Sequence, residues 1–135
     1  MELKEAEKIT TGSKTKALEM GLPMCIAVMD SHANLVTFVR TGDTTLDSIQ
    51  IAIDKAYTSA MIRIDTRNLG KQCQPGGPIY GFQNNLGGRI VIFPGGLPIF
   101  KDGKLIGSVG VSGGEVDEDE IVAKAGVESF FRINE

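Results

Sequence analysis

The stretch from Arg89 to Gly114, RIVIFPGGLPIFKDGKLIGSVGVSGG, decides the fold. It holds three short apolar runs, Arg89 to Phe93, Leu97 to Lys101 and Leu105 to Val111, each of strand length and each bounded by turn residues. Asp102-Gly103 between the last two is a strong hairpin signal, because the two-residue turns that match strand twist require positive φ, which Asp and Gly tolerate. Pro94-Gly95-Gly96 and Pro98 impose a turn between the first two and are read as architecture. Three successive strands are therefore expected here.

Working outward, thirteen of the seventeen glycines fall between Gly70 and Gly114, so this half of the chain is expected to hold tight turns and close backbone approaches. On the N-terminal side, Met24 to Met29 and Leu35 to Val39 flank Asp30-Ser31-His32-Ala33-Asn34 and read as a further hairpin, which brings the strand count to five. Leu3, Ala6, Ile9, Ala17 and Met20 recur at helical spacing through residues 2–20, and Gly21 and Pro23 stop that helix. A second helix is expected from about Leu46 to Ile62, with Thr44 or Thr45 as its cap, Asp47 in its first turn, and a buried face that includes Ala52, Ala56, Ser59 and Ala60. The last helix is expected to start at Asp117, with Glu120 three residues on as in a capping box. Helix, two strands, helix, three strands, helix is an α+β layout in which helices cover a mostly antiparallel sheet.

The chain has 135 residues, 41% of them hydrophobic, enough for one core and too few for two typical domains, so a single domain is expected over 1–135. Fourteen basic against seventeen acidic residues give a net charge of −3 with no basic block, which argues against nucleic acid as a partner. Apolar runs such as Cys25 to Met29 fall far short of the roughly 20 residues that a spanning helix needs. The N-terminus shows no basic start leading into an apolar run, so no secretory signal is expected and the cytoplasm is the expected compartment. Cys25 and Cys73 have no disulfide or zinc spacing and are expected to be free thiols.

Three segments carry a family resemblance: Gln74-Pro75-Gly76-Gly77-Pro78-Ile79-Tyr80-Gly81, Phe93-Pro94-Gly95-Gly96-Leu97-Pro98-Ile99 and Ile106-Gly107-Ser108-Val109-Gly110-Val111-Ser112-Gly113. Together with Ile26-Ala27-Val28-Met29-Asp30, Ile51-Ala52-Ile53-Asp54-Lys55-Ala56 and Asp117 to Glu120, in this order, they closely resemble the GlcG/HbpS family over essentially the whole chain. The resemblance implies a profilin-like fold with α/β/α layers and a five-stranded antiparallel sheet. It implies a homo-oligomer, with octamers known among members. Those members include haem-binding proteins, the C-terminal domain joined to PduO-type corrinoid adenosyltransferases, and proteins encoded with glycolate or diol and glycerol utilisation genes. The adenosyltransferase chemistry belongs to the other domain of those fusions and is not carried over.

Haem, or a related tetrapyrrole, is thus the expected cofactor, and the expected role is a non-catalytic accessory one. His32, the only histidine, is a candidate axial ligand, since imidazole binds haem iron and a loop residue can reach a ligand at a subunit interface. Its position departs from the family pattern, in which a histidine, when present, often comes immediately before the second strand, where this chain has Asn34. The alternative for His32 is an ordinary exposed turn residue. Tyr80 is a second candidate, through phenolate ligation, against a packing aromatic that hydrogen-bonds through its hydroxyl. Lys55, Arg40, Asp43 and Gln74 are read as polar groups that could ring a small pocket near the Gly-rich loops, each alone being equally a structural residue.

Catalytic patterns are weaker. Ser112 in Gly110-Val111-Ser112-Gly113-Gly114 superficially matches a nucleophile elbow, but His32 precedes it, against the order of that fold. Gly107, Gly110 and Gly113 do not form a dinucleotide fingerprint, and Gly70-Lys71 is followed by Gln72, so no Walker motif exists. Glu115, Asp117, Glu118, Asp119 and Glu120 are read as serving the helix dipole and solvent, ahead of a metal site. Two alternatives to the cofactor-binding reading stay open: an oligomeric scaffold module that supports a metabolic enzyme, and a small-molecule enzyme.

Overall fold

The computed structural model describes residues 1–132. Residues 133–135, the end of the single domain expected over 1–135, lie outside the described residues. Helix α1 spans Leu3–Glu19; strands β1 (Cys25–Asp30) and β2 (Leu35–Arg40) form a hairpin; α2 is Asp47–Ile62 and α3 is Thr66–Gln72; β3 (Gly96–Lys101) and β4 (Lys104–Ser112) form a second hairpin; α4 is Val116–Phe131. The sheet runs β2-β1-β4-β3, antiparallel throughout, because β1 pairs with β4 between the two hairpins.

Alternation along the central strands sets the three layers. Ile26 and Val28 of β1, with Val109 and Val111 of β4, face Ala6, Ile9 and Ala17 of α1 and Val122 and Ala123 of α4. Cys25, Ala27 and Met29 face Ala52 and Ala56 of α2 on the other side. Burial on both faces explains why Cys25 to Met29 is a continuous apolar run. Helices α1 and α4 meet at glycines: a Cβ on Gly12 would lie 2.5 Å from Ser129 Cβ, and one on Gly126 2.3 Å from Ser13 Oγ. The Ser13 hydroxyl donates to Val122 O at 2.8 Å across this crossing.

The sheet has four strands where five were expected, and residues 89–93 are the missing one. Ile90 and Val91 are buried, Ile92 is half-buried and Phe93 is exposed, and the burial is in a separate cluster: Ile90 packs with Leu69 and Cys73, flanked by Ile62, Ile64 and Ile92. The backbone finds a helix side chain in place of a ladder, with the Val91 N–H donating to Thr58 Oγ1 at 3.0 Å. Helix α3 fills the space alongside, pressed so close that a Cβ on Gly70 would lie 2.0 Å from Ile92 O. A short apolar run reports burial without saying what supplies its hydrogen bonds. Thr58→Val keeps shape and removes the acceptor for Val91, and is expected to cost about 1–3 kcal/mol in urea denaturation.

Other local expectations also shift. Helix α4 starts at Val116, and its capping box is Glu115 with Glu118, not Asp117 with Glu120; the Glu115 N–H donates to Glu118 Oε1 at 2.8 Å. Neither Thr44 nor Thr45 caps α2, which starts from Leu46 without a side-chain cap. Thr44 Oγ1 instead accepts from Arg40 Nε at 3.0 Å, and Thr45 Oγ1 shares a hydrogen bond with Ser48 Oγ at 3.1 Å. Helix α3 adds to the expected elements, its seven residues being too few to show a period; its local mark is Asp65, whose carboxylate accepts from the Asn68 N–H at 2.8 Å. Cys25 and Cys73 are free and buried. No helix of the described residues is long and apolar enough to cross a membrane.

Candidate functional site

The polar groups gather at the two ends of the sheet. At the C-terminal end of β4, Lys55 of α2 is 1% exposed by its side chain and reaches inward past the strand. Its ammonium donates to Val111 O at 2.8 Å and to Asp119 Oδ2 at 2.9 Å, and lies 5.2 Å from the centre of the Phe93 ring. Asp119 Oδ1 accepts from the Gly114 N–H at 2.9 Å. Burial pushes the Lys55 ammonium below its ordinary value, and the Asp119 carboxylate draws it back up. Burial likewise pushes Asp119 up, against the pull of Lys55 and the Gly114 N–H. Gly95 completes the site: at φ +130 a Cβ there would strike both Lys55 Nζ and Val111 O, each at 2.6 Å.

A second pairing closes the same end. Arg67 of α3 donates from Nε to both carboxylate oxygens of Glu120 at 3.1 Å and from its terminal nitrogen to Asp117. These hydrogen bonds, that to Asp117 first and that to Glu120 next, raise the guanidinium pKa above its already high value. Thr66 Oγ1 accepts from the Gly96 N–H at 3.0 Å, so the Gly95-Gly96 turn is held from α2 and α3 together.

Sequence reasoning places Lys55 near the Gly-rich loops and misses its partner, because Asp119 reads as one of a run of carboxylates that serve solvent and the helix dipole. With α4 beginning at Val116, Asp119 shares a face with Val122, Ala123 and Gly126, all buried. A lysine on the inner face of one helix and an aspartate on the inner face of another is the available signal. Arg40 and Asp43 do come together, at 3.4 Å, but the Arg40 guanidinium is chiefly engaged with Thr44, whose carbonyl accepts at 2.6 Å. Gln74 lies two residues past the end of α3 and donates to Gly70 O at 2.9 Å. Among the hydrogen bonds and ion pairs of the described residues, none links Lys55 to Arg40, Asp43 or Gln74.

His32 lies at the opposite end of the sheet, in the β1–β2 turn. Asp30 organises this turn: its carboxylate accepts from the His32 N–H at 2.9 Å, the Asn34 N–H at 3.0 Å and Asn34 Nδ2 at 3.2 Å. Partial burial raises the Asp30 pKa, but these hydrogen bonds outweigh it and hold the carboxyl below its ordinary value. The imidazole is exposed, with Nδ1 3.3 Å from Ser31 Oγ, and Nε2 has no hydrogen bond among the described residues. Tyr80 is 67% exposed, without a hydrogen bond from its hydroxyl among the described residues, so the packed alternative does not describe it. Ser112 pairs with Cys25 at one end of β1, while Asp30 at the other end pairs with Gly107. At about 3.3 Å per residue, His32 stands roughly 17 Å or more from Ser112, too far to act as its base.

The model of the family described as haem degrading protein HbpS-like matches residues 1–128. An uncharacterised 15.0 kDa protein of Citrobacter freundii, from the dhaT-dhaS intergenic region, is 39% identical over 95% of this chain and 90% of its own length. The corrinoid adenosyltransferase PduO of Salmonella typhimurium is 31% identical over 91% of this chain, which corresponds to only 37% of that larger protein. Among solved structures, Klebsiella pneumoniae protein ORFY superposes with a TM-score of 0.95 at 30% identity, covering 99% of this chain and 92% of that one. The PduOC:haem complex superposes with a TM-score of 0.92 at 29% identity, covering 96% and 94%. With a family model matched along nearly its entire length and the same helix-covered antiparallel sheet in solved relatives, the chain belongs to the HbpS-like family.

Proposed function

We propose that this protein is a non-catalytic accessory protein that binds haem or a related tetrapyrrole and works as a homo-oligomer, with eight copies as the resemblance implies. The observation that carries the reading is the similarity to the PduOC:haem complex across 96% of the chain. The residues here offer a matching donor: an exposed imidazole on a turn pinned by Asp30, with Nδ1 beside Ser31 and Nε2 free to face iron. Leu35, 47% exposed just beyond the turn, supplies apolar surface for one side of a porphyrin, and a second copy would supply the rest. When bound, haem supplies the iron; the chain's part is to orient the imidazole and shield the ring. Tyr80 is the second candidate ligand, on its own exposed loop. In this reading Lys55, Arg40, Asp43 and Gln74 hold the turns that shape the domain. Glycolate or diol and glycerol utilisation is the setting that we infer from the resemblance, and the cytoplasm the compartment.

The test is a haem titration of the purified protein followed by Soret absorbance, beside His32→Ala and Tyr80→Phe. Saturable, stoichiometric binding is expected, with a displaced Soret band and at least tenfold weaker binding in His32→Ala, and wild-type behaviour in Tyr80→Phe. A linear, unsaturable response identical in all three overturns the reading and leaves the scaffold role in first place.

A further inference from the structure

The two hairpins turn at the same end of the sheet. Strands β1 and β4 are neighbours with Asp30 opposite Gly107, so the 31–34 turn that carries His32 and the Asp102-Gly103 turn both leave beyond that pair. The β3–β4 hairpin runs further, since Lys104 stands three residues of extended chain, roughly 10 Å, past Gly107. The tip of one hairpin thus overhangs the turn of the other.

That tip carries an unfavourable pair. Lys101 and Lys104 lie directly opposite each other and are exposed, and like charges in that position destabilise a hairpin. The ladder shifts register between Ile99 and Phe100: Ile99 lies opposite Gly107 and Phe100 opposite Leu105, which leaves Ile106 without a partner. Beyond this bulge the pairing is regular again, so the two lysines share a face. Lys101 Nζ lies 5.9 Å from the centre of the Phe130 ring, which identifies that face as the one covered by α4. Among the described residues neither lysine enters an ion pair, not even with the Asp102 carboxylate between them. An anion from outside the chain would turn this repulsion into attraction.

We propose that Lys101 and Lys104 select the ligand: they take the ionised carboxylate side chains of a tetrapyrrole whose iron His32 holds, and so favour haem over a corrinoid, whose acid side chains are amidated. This assignment rests on the cofactor reading above, and its test separates the two. Haem carries its carboxylates together on one edge of the ring and its iron at the centre. It therefore asks for an imidazole and, set apart from it, a paired cationic group, and the sheet end offers these on hairpins side by side. Lysine suits the second role, because its ammonium is a point charge on a flexible stem and can follow a carboxylate that swings on its own chain. The methylenes of that stem can cover part of the ring edge.

Wild type is titrated with haem, haem dimethyl ester and cobinamide, followed by the Soret band or the corrinoid's own absorbance, beside Lys101→Glu, Lys104→Glu, the double variant and Lys104→Arg. Wild type is expected to bind haem at least about tenfold more tightly than the ester or the corrinoid, the scale of charge-assisted pairing. The double variant is expected to lose that preference, Lys104→Arg to keep it, and added salt to narrow it. Haem bound to any of them should keep the wild-type Soret position, because the imidazole is untouched. Urea denaturation of the apo proteins separates ligand binding from a merely structural role. Lys104→Glu sets an acid opposite Lys101, so it is expected to raise the urea midpoint while it weakens haem binding. Weaker binding that tracks a lower midpoint overturns the proposal. Equal affinity for haem and its ester, in a wild type whose binding is saturable and depends on His32, overturns it too and leaves the iron site standing. No saturable haem binding in wild type overturns both readings.

Discussion

Lys55→Met is expected to destabilise the protein by about 3–5 kcal/mol at pH 7.5, because it leaves the Asp119 carboxylate buried without its counter-charge. Asp119 is 3% exposed by its side chain and keeps only the Gly114 N–H as a partner, while Val111 O loses its donor altogether. The loss should depend on pH in a defined direction. With Lys55 gone, nothing charged opposes the burial that pushes Asp119 up, so its folded pKa lies above the ordinary carboxylate value of 3.8. The folded variant then holds a proton that the unfolded chain has already released, so stability falls as pH rises through that folded pKa. Urea denaturation of wild type and variant between pH 4 and pH 8 should show a deficit that is smallest in acid and complete by neutrality. Lys55→Met combined with Asp119→Leu removes the stranded charge and should recover most of the loss, short of wild type by the orphaned Val111 carbonyl. A deficit below about 1 kcal/mol with no trend in pH would count against the pair as the clamp between α2 and α4.

Gly110→Ala is the second large effect. Gly110 lies in the middle of β4 where α2 crosses the sheet, and a Cβ there would sit 2.1 Å from Ala52 O and 2.4 Å from Ala56 N. Both are backbone atoms of a helix, so no side-chain rotation relieves the clash. The helix would have to lift off the sheet, and with it the Ser108 hydroxyl that donates to Ala56 O at 2.6 Å and Lys55 in its buried pairing. A loss of about 3 kcal/mol or more is expected, at the upper end for overpacking. Gly103→Ala makes the control. It sits in the β3–β4 turn with φ +78 and no atom within 4 Å of its would-be Cβ, so it carries conformational strain alone, on the order of 1 kcal/mol. Equal thermal shifts for the two variants would mean that close approach of α2 to the sheet is not what position 110 demands.

The two glycines also mark how far a sequence can be read. Asp102-Gly103 announces its hairpin, because turn chemistry is a property of adjacent residues, and β3 and β4 pair across it as expected. The β1–β2 hairpin and the main bodies of α1, α2 and α4 were legible for the same reason: period and punctuation act within a few residues. Gly110 offers no such mark, since what forbids a side chain there lies on another element.

What the sequence by itself determined is thus the α+β class, the order of its long helices and the two hairpins, together with the family they belong to. Tertiary structure decided the rest. It turned residues 89–93 from a fifth strand into a partly buried segment held by Thr58, and it joined Lys55 to Asp119 across 64 positions of chain. It also set Ser112 and His32 at opposite ends of β1 and left β2 at a margin of the sheet. The physical reason is common to all four. Local propensity states whether a side chain prefers burial, whereas the partner of a buried amide, ammonium or strand edge is set by which distant elements the closed core brings against it.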